Sequence, residues 1–480
     1  MWYTLNFKHL ASNVAIAFLS QFVAFLASAV TSFLVPKILG VEEYGYWQLF
    51  VFYASYVGFF ALGAIDGIYL IRGGQSRDEV DRADVASQYW FSVGYVTLFS
   101  LIVGLVGGLL LFEGKRAEVI ALTMLYSVVS HMACSLGTIL QAMNETKAYS
   151  RSVMIDRGSF VLLIALPLFM RVDCFELYAA LYVVAKVVCL VYCLWQVRDF
   201  RHVQLLPLPE ASCGVLRSIR VGIKLTFANV ASMLILGVAR ALIDYAWGIE
   251  AFGRVSFSLS LVNFFIAFVS QASMVLFPAL RQGTDEERRS FYRVVRDALE
   301  IAFPIVYLLY FPIAWLISLW LPQYADSMFY FAILLPLCVF ETKMDLCCTT
   351  YLKVLRGENI LLWVNVATVA ASALLSLAGI YLAGSIDVVL FGIVACVIGR
   401  SLWCERYLNK KLGVLSSALA FEEIFLTACF IVLALSVPAV PAALVYAVLY
   451  GAYIFINRMT SSKLFSLTLR VFGFDGARNS

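Results

Sequence analysis

The sequence predicts an all-α polytopic membrane protein of about 12 to 14 transmembrane helices, built as two parallel six-helix lobes followed by two further C-terminal helices. Three observations carry this. Hydrophobic residues fill 62% of the 480 positions and charged ones only 14%, against roughly 25% charged in an ordinary globular chain. Apolar stretches of about 20 residues, enough for one helix to cross a hydrocarbon core ~30 Å thick, recur from end to end. A short motif also returns 208 positions further on, at Gly40 and again at Gly248.

Each apolar run reads as a helix because backbone groups in lipid must be paired within the segment. A barrel would show alternating segments of about ten residues, unlike the run Ala15 to Leu34. The spans are placed at 10–34, 47–71, 89–112, 119–143, 153–170, 176–195, 221–246, 254–280, 299–321, 328–352, 360–382, 388–408, 418–437 and 441–457. The first run follows only Lys8 and has no small-residue cleavage site before Pro36, so it reads as a retained span and not a signal peptide. With the N-terminus inside, cytoplasmic segments hold about 26 of the 35 Lys and Arg, outer loops about 5 and spans about 4 (Lys186, Arg240, Lys343, Arg400). That orientation puts both termini of a multi-pass membrane protein in the cytoplasm. The richest inner loops carry Arg198, Arg201, Arg217, Arg220 and Lys224, and Arg281, Arg288, Arg289, Arg293 and Arg296.

Gly40-Val41-Glu42-Glu43-Tyr44-Gly45 returns as Gly248-Ile249-Glu250-Ala251-Phe252-Gly253, and in each copy the next apolar run ends in a charged loop, opening at Arg72 and at Arg281. Two halves of six helices follow, and an even number gives both the same orientation. The expected divisions are 1–197 for the N-terminal lobe, 198–220 for a cytoplasmic linker, 221–410 for the C-terminal lobe, and 411–480 for two extra helices and a tail. The tail, with Arg458, Lys463 and Arg470 among Leu464, Phe465, Leu467 and Phe472, reads either as an amphipathic surface segment or as disordered chain.

No gap between spans is long enough for a soluble engine, the longest being about 25 residues from Gln196 to Arg220, and there is no phosphate-binding loop. A primary pump is disfavoured, so transport would draw on an ion gradient, the membrane potential or the substrate's own gradient. The 11 cysteines lie mostly in apolar runs without metal-ligand or CxxC spacing. No cofactor, metal or nucleic-acid partner is expected.

The residues Val35-Pro36-Lys37-Ile38-Leu39-Gly40-Val41-Glu42-Glu43-Tyr44-Gly45 resemble the first external loop of the polysaccharide transport family, which includes the O-antigen and other lipid-linked oligosaccharide flippases. Leu140 to Asn144, Tyr149-Ser150-Arg151 and Ile155-Asp156-Arg157 resemble that family's junction between its fourth and fifth spans. The resemblance implies the fold of the multidrug, oligosaccharidyl-lipid and polysaccharide exporter (MOP) superfamily, two six-helix lobes around a central cavity. It implies a polyprenyl diphosphate bearing a sugar repeat unit as substrate, turned from the cytoplasmic to the outer leaflet of a bacterial inner membrane. A polysaccharide polymerase and a chain-length regulator are the implied protein partners, with membrane lipids around them. Such a head group needs a polar, cationic path, while its tail remains content in lipid.

Ionisable groups inside spans cost about 2.5 to 3.5 kcal/mol on the insertion scale and so need a partner or a task. Lys186 and Arg400 lie near mid-span in the sixth span of each half, and read either as one diphosphate-holding cation per lobe or as snorkelling or structurally bonded residues. Arg240 has Asp244 on the same helical face, which leaves an internal ion pair or a cavity cation. Asp66 and Arg72 near the inner end of span 2 read as an inner gate or a loop anchor. Glu341 and Asp345 share a face at i, i+4 while Lys343 points away; with His131 at similar depth in span 4, the carboxylates suggest coupling to H+ or Na+. Gln21, Asn229, Asn263 and Gln271 line a sugar path or bond neighbouring helices.

Three rival functions remain at this level. A membrane glycosyltransferase or polysaccharide polymerase would need catalytic groups near a membrane surface, often on a sizeable outer loop, and every outer loop is short. An ion-coupled multidrug exporter of the same superfamily would favour carboxylates in its cavity, and Asp66, Asp244, Glu341 and Asp345 keep that reading open. A scaffold would not require so many charges within spans.

Overall fold

In hydrocarbon a chain has only itself to satisfy its N–H and C=O groups. The computed structural model describes residues 7–282, 285–355, 357–415 and 419–457, and among them the chain is helical between short turns. The C-terminal tail, residues 283–284 of the second charged loop, and the side chains of Gln271 and Arg281 lie outside the described residues.

The first half contains α1 (Phe7–Phe33), the single turn α2 (Val35–Ile38), α3 (Val41–Tyr56), α4 (Ala64–Arg72), α5 (Arg82–Val106), α6 (Lys115–Ala142), α7 (Thr146–Phe169) and α8 (Phe175–Gln196). Then come α9 (Leu208–Gln282), α10 (Asp285–Ala302), α11 (Val306–Trp320), α12 (Ser327–Leu334), α13 (Pro336–Lys343), α14 (Thr350–Val354), α15 (Glu358–Ala378), α16 (Ile386–Leu412), α17 (Leu419–Ser436) and α18 (Ala439–Ile456).

Among the described residues, 11 helices are long and apolar enough to cross a membrane, or 12 when α3 and α4, bent by 57° at Leu62 and Gly63, count as one span. The 75 residues of α9 would stretch about 110 Å at ~1.5 Å per residue, far more than one crossing. Its break is at Gly248, whose φ of 81° ends one helix and starts the next. The helical run from Ser327 to Val354, interrupted by a π-helical turn at Met344–Thr349, supplies a further span, so the fourteen spans read from the sequence can all be accommodated.

The chain forms two compact units, Met1–Gly237 with Trp247–Ser256, and Val238–Ala246 with Phe257–Ser480. The first helix turns of α9 therefore pack with the N-terminal helices, and the stretch from Leu208 that was read as the end of a linker is already helix.

Within the first unit the repeated motif explains itself. Gly40 caps α3, its N–H donating to Asp173 Oδ1 at 3.0 Å, and Glu43 accepts from the Phe175 N–H at 2.9 Å while pairing with Lys115. Gly45 and Gly253, equivalent under the repeat, face one another. A β-carbon on Gly45 would stand 2.6 Å from the Ile249 carbonyl oxygen, and one on Gly253 would stand 3.0 Å from the Gly45 Cα and 3.1 Å from the Val41 carbonyl oxygen. Between α4 and the part of α9 that precedes Gly248, β-carbons on Gly63, Gly67 and Gly222 would overlap the opposing backbone. This is the small-xxx-small packing of membrane helices, Gly63/Gly67 on α4 against Ser218/Gly222 on α9. Tyr56 donates to the Met233 carbonyl at 3.0 Å between the two crossings.

In the second unit, Pro304 breaks the helix between α10 and α11, removing one N–H and leaving carbonyls of the preceding turn without helical donors. Tyr446, Tyr450 and Tyr453, on one face of α18 by their i, i+4, i+7 spacing, supply hydroxyls to them. Tyr453 donates to the Glu300 carbonyl at 3.1 Å, Tyr450 to the Ile301 and Ala302 carbonyls at 3.0 and 3.2 Å, and Tyr446 to the Pro304 carbonyl at 3.1 Å. Stacking of Tyr307 on Phe430, with centroids 4.6 Å apart, closes α17 onto the same break.

Two glycine substitutions separate packing from propensity. Gly67→Ala must displace the backbone at Ser218 and is expected to cost about 1 to 3 kcal/mol, whereas Gly94→Ala, which has open space, should be neutral or gain up to about 1 kcal/mol. Thermal unfolding of the two purified variants in one detergent reads the difference.

Candidate functional site

The charged residues of the spans assemble into three buried or half-buried groups. In the first unit Lys186, on α8, donates to Asp156 Oδ2 on α7 at 2.8 Å, and both side chains are largely buried. An aromatic cluster lies on the same helices. Trp47 stacks on Phe160 with centroids 6.0 Å apart, Phe160 meets Tyr182 edge-on at 4.8 Å, and Arg157 donates to the Tyr182 hydroxyl at 3.1 Å. His131 is buried on α6, 3.1 Å from the Ser92 hydroxyl.

The corresponding place in the second unit holds Arg400 on α16. It ion-pairs with Glu341 on α13 and donates to Asn365 Oδ1 on α15 at 3.3 Å. Under the repeat Asn365 stands where Asp156 stands in the first half, 209 positions earlier. Each sixth span thus carries a buried cation bonded to the polar residue at one position of the fifth span. In the second half that residue is neutral, and the neutralising carboxylate comes from Glu341. Arg400 also lines a largely apolar cavity of about 610 Å3 between α15 and α16, with Trp363, Ala367, Cys396, Gly399 and Trp403.

The third group was not anticipated. Lys343 is 1% exposed and reaches Glu300 on α10, Glu405 on α16 and Glu423 on α17 at 2.7, 2.7 and 2.9 Å. One ammonium therefore holds three carboxylates from three helices. Beside it the buried Arg296 donates to Asp297 at 2.8 Å and to Asn409 Oδ1 at 2.9 Å, and Asn409 donates to Glu405 at 3.4 Å. The sequence signal was present: Glu300, Glu405 and Glu423 all fall inside apolar spans, as does Asp156, but attention to span cations passes over the carboxylates that accompany them.

The remaining predicted residues separate. Asp66 on α4 accepts from Thr226 on α9 at 2.5 Å, and Arg72 pairs with Asp84 on α5 at 2.5 Å, so the two do not bond each other. Asp345 is the second residue of the π-helical turn and is exposed, while Glu341, one turn before it, is turned to Arg400. Arg240 and Asp244 are half-buried on α9 in the second unit. Gln21 is half-buried, and Asn229 and Asn263 are exposed.

Removing the common partner tests the third group. Lys343→Met leaves three buried carboxyl groups without their common partner and is expected to destabilise by about 3 to 5 kcal/mol or to abolish folding, while Glu423→Gln, which leaves the ammonium Glu300 and Glu405, should cost clearly less. Unfolding midpoints and yields of monodisperse protein check the order of the two.

The comparisons with known proteins agree with this architecture. A family model described as polysaccharide biosynthesis protein matches residues 10–284. No curated relative matches the sequence. Among solved structures, the lipid II flippase MurJ in an inward closed conformation superposes with a TM-score of 0.64 at 10% identity, covering 94% of this chain and 99% of that one. An inward-facing multidrug resistance MATE family transporter of the MOP superfamily gives 0.56 at 12% identity, covering 84% and 99%. A MATE transporter from Vibrio cholerae gives 0.54 at 14%, covering 86% and 98%. At such identities the likeness is one of fold, that of polytopic MOP transporters. The family model, in contrast, spans more than half of the sequence, and on that ground the chain belongs to the polysaccharide biosynthesis protein family.

Proposed function

We propose that the protein is a flippase, carrying a polyprenyl-diphosphate-linked oligosaccharide such as an O-antigen or capsule repeat unit from the cytoplasmic to the outer leaflet of a bacterial inner membrane by alternating access. Family membership narrows the chain to polysaccharide biosynthesis, and the observation that carries the reading further is Arg400. An arginine among the residues that line a largely apolar cavity, its side chain held behind that lining by Glu341, suits a ligand with a phosphate at one end and a hydrocarbon at the other. In the resting arrangement Glu341 occupies that guanidinium. A phosphate oxygen arriving at Arg400 would compete with the Glu341 carboxylate, which would then take up a proton or Na+, so binding and ion coupling would meet at one pair.

On this reading Arg400 and Arg240 contact the head group, Lys186 and Lys343 hold the two halves' polar interiors in shape, and Asp66 and Arg72 belong to the inner entrance. Asp345 and His131 are further candidates for ion coupling. A polymerase and a chain-length regulator would act on the product at the outer surface.

An ion-coupled drug exporter is favoured by one observation, the three carboxylates about Lys343, and the test separates it. The inner- and outer-leaflet pools of lipid-linked oligosaccharide are measured in cells with and without the protein, and with Arg400→Gln, Arg240→Ala and Lys186→Ala at equal membrane abundance. The expected result is accumulation in the inner leaflet without the protein and with Arg400→Gln. Unchanged leaflet pools with shorter polymer would indicate a polymerase, and unchanged pools with unchanged polymer would favour drug export.

A further inference from the structure

A second polar cavity, of about 110 Å3, lies in the first unit where α4, α5 and α9 meet. Each helix contributes residues three or four apart, hence on one face: Ile68, Ile71 and Arg72 from α4, Asp84 and Gln88 from α5, and Gly214, Arg217 and Ser218 from α9. Its interior bonds use up acceptors. Asp84 Oδ2 takes Arg72 at 2.5 Å and the Gln88 amide at 2.9 Å, and the Gln88 carbonyl takes the Ser218 hydroxyl at 2.7 Å. Donors are left in excess, since a guanidinium carries five N–H groups and Arg72 spends one on Asp84. Arg217 is exposed and makes no ion pair among the described residues. Two guanidiniums against one carboxylate leave the lining with a net positive charge.

Gly214 keeps the space open. A β-carbon there would stand 3.2 Å from Asp84 Oδ1 and 3.2 Å from the Gln88 amide nitrogen, so any larger side chain would fill the cavity. The cavity lies at the end of the spans that the Lys and Arg distribution marks as cytoplasmic, with Arg77, Arg82 and Arg220 nearby in sequence.

The geometry points to a phosphate-binding site between Arg72 and Arg217, distinct from the Arg400 cavity, that takes the phosphate end of an amphiphile from the inner leaflet. A tetrahedral, acceptor-only group is the chemical complement of a small cavity rich in fixed donors. The assignment rests on the flippase reading only for the identity of the amphiphile. The substrate's diphosphate and an anionic phospholipid head group present the same chemistry, and the experiment distinguishes them.

The full-length protein is placed in phosphatidylcholine nanodiscs and titrated with farnesyl diphosphate and with inorganic phosphate, and in parallel placed in nanodiscs containing phosphatidylglycerol. Arg217→Gln and Gly214→Val should each weaken farnesyl diphosphate binding by about tenfold or more, the worth of one charge-assisted contact, while Lys224→Gln, an exposed cation on the same helix but outside the cavity, should not. Wild-type farnesyl diphosphate binding that weakens in phosphatidylglycerol discs, with Arg217→Gln binding equally in both kinds of disc, would assign the site to phospholipid. Equal binding by wild type and Arg217→Gln, or equal loss with Lys224→Gln, overturns the site. An unfolding midpoint of Arg217→Gln equal to that of the wild type guards against misfolding, because Arg217 is exposed and makes no ion pair among the described residues. If the leaflet pools show no flipping while the Arg217-dependent binding persists, the proposed function falls and this site stands.

Discussion

The constraint on which the rest of the structure depends is that a polar group within the hydrocarbon has no water to fall back on. The buried cations of the spans answer it. Lys186 has Asp156, Arg400 has Glu341 and Asn365, and Lys343 has three glutamates. The same rule governs backbone: the carbonyls released by Pro304 are taken up by tyrosines of α18, and buried serines such as Ser135 return their hydroxyls to their own helix, here to the His131 carbonyl at 2.6 Å. An ion pair is of modest net worth when both partners are buried, but breaking one is expensive, so these groups act as fixed joints.

The repeat has kept the backbone plan and let the chemistry diverge. Gly45 and Gly253 remain a glycine pair because neither helix can retreat from the other without losing the packing that the missing β-carbons permit. At the fifth and sixth spans the cation persists, but its partner changes from a charged Asp156 to a neutral Asn365, and neutralisation passes to a residue on a third helix. Arg400 lines the largely apolar cavity between α15 and α16 and divides its donors between Glu341 and a neutral Asn365, whereas Lys186 is committed to Asp156, which is why the chemistry is assigned to Arg400 before Lys186.

The last two helices are integral to the second unit. Glu423 of α17 shares the Lys343 ammonium, and α18 supplies three hydroxyls to the broken helix between α10 and α11. An added helix pair becomes a structural element when it satisfies polar groups that the six-helix core leaves open, and a broken helix beside a buried charge cluster leaves several.

The sequence by itself determined the class of the molecule and the course of its helices, because a span's length and its apolar composition are imposed by the bilayer and can be read locally. It also located most of the cations, and the motif at Gly40 with its copy at Gly248. Only the tertiary structure decided the partners. Glu341 and Asp345 share a helical face on the sequence, yet Arg400 pairs with Glu341 and, among the described residues, Asp345 makes no ion pair. Lys343 meets Glu300, Glu405 and Glu423, which lie between 43 and 80 positions away. Periodicity orders neighbours along one helix and says nothing about which helix stands opposite, and in a membrane it is the opposing helix that determines what a buried charge can do.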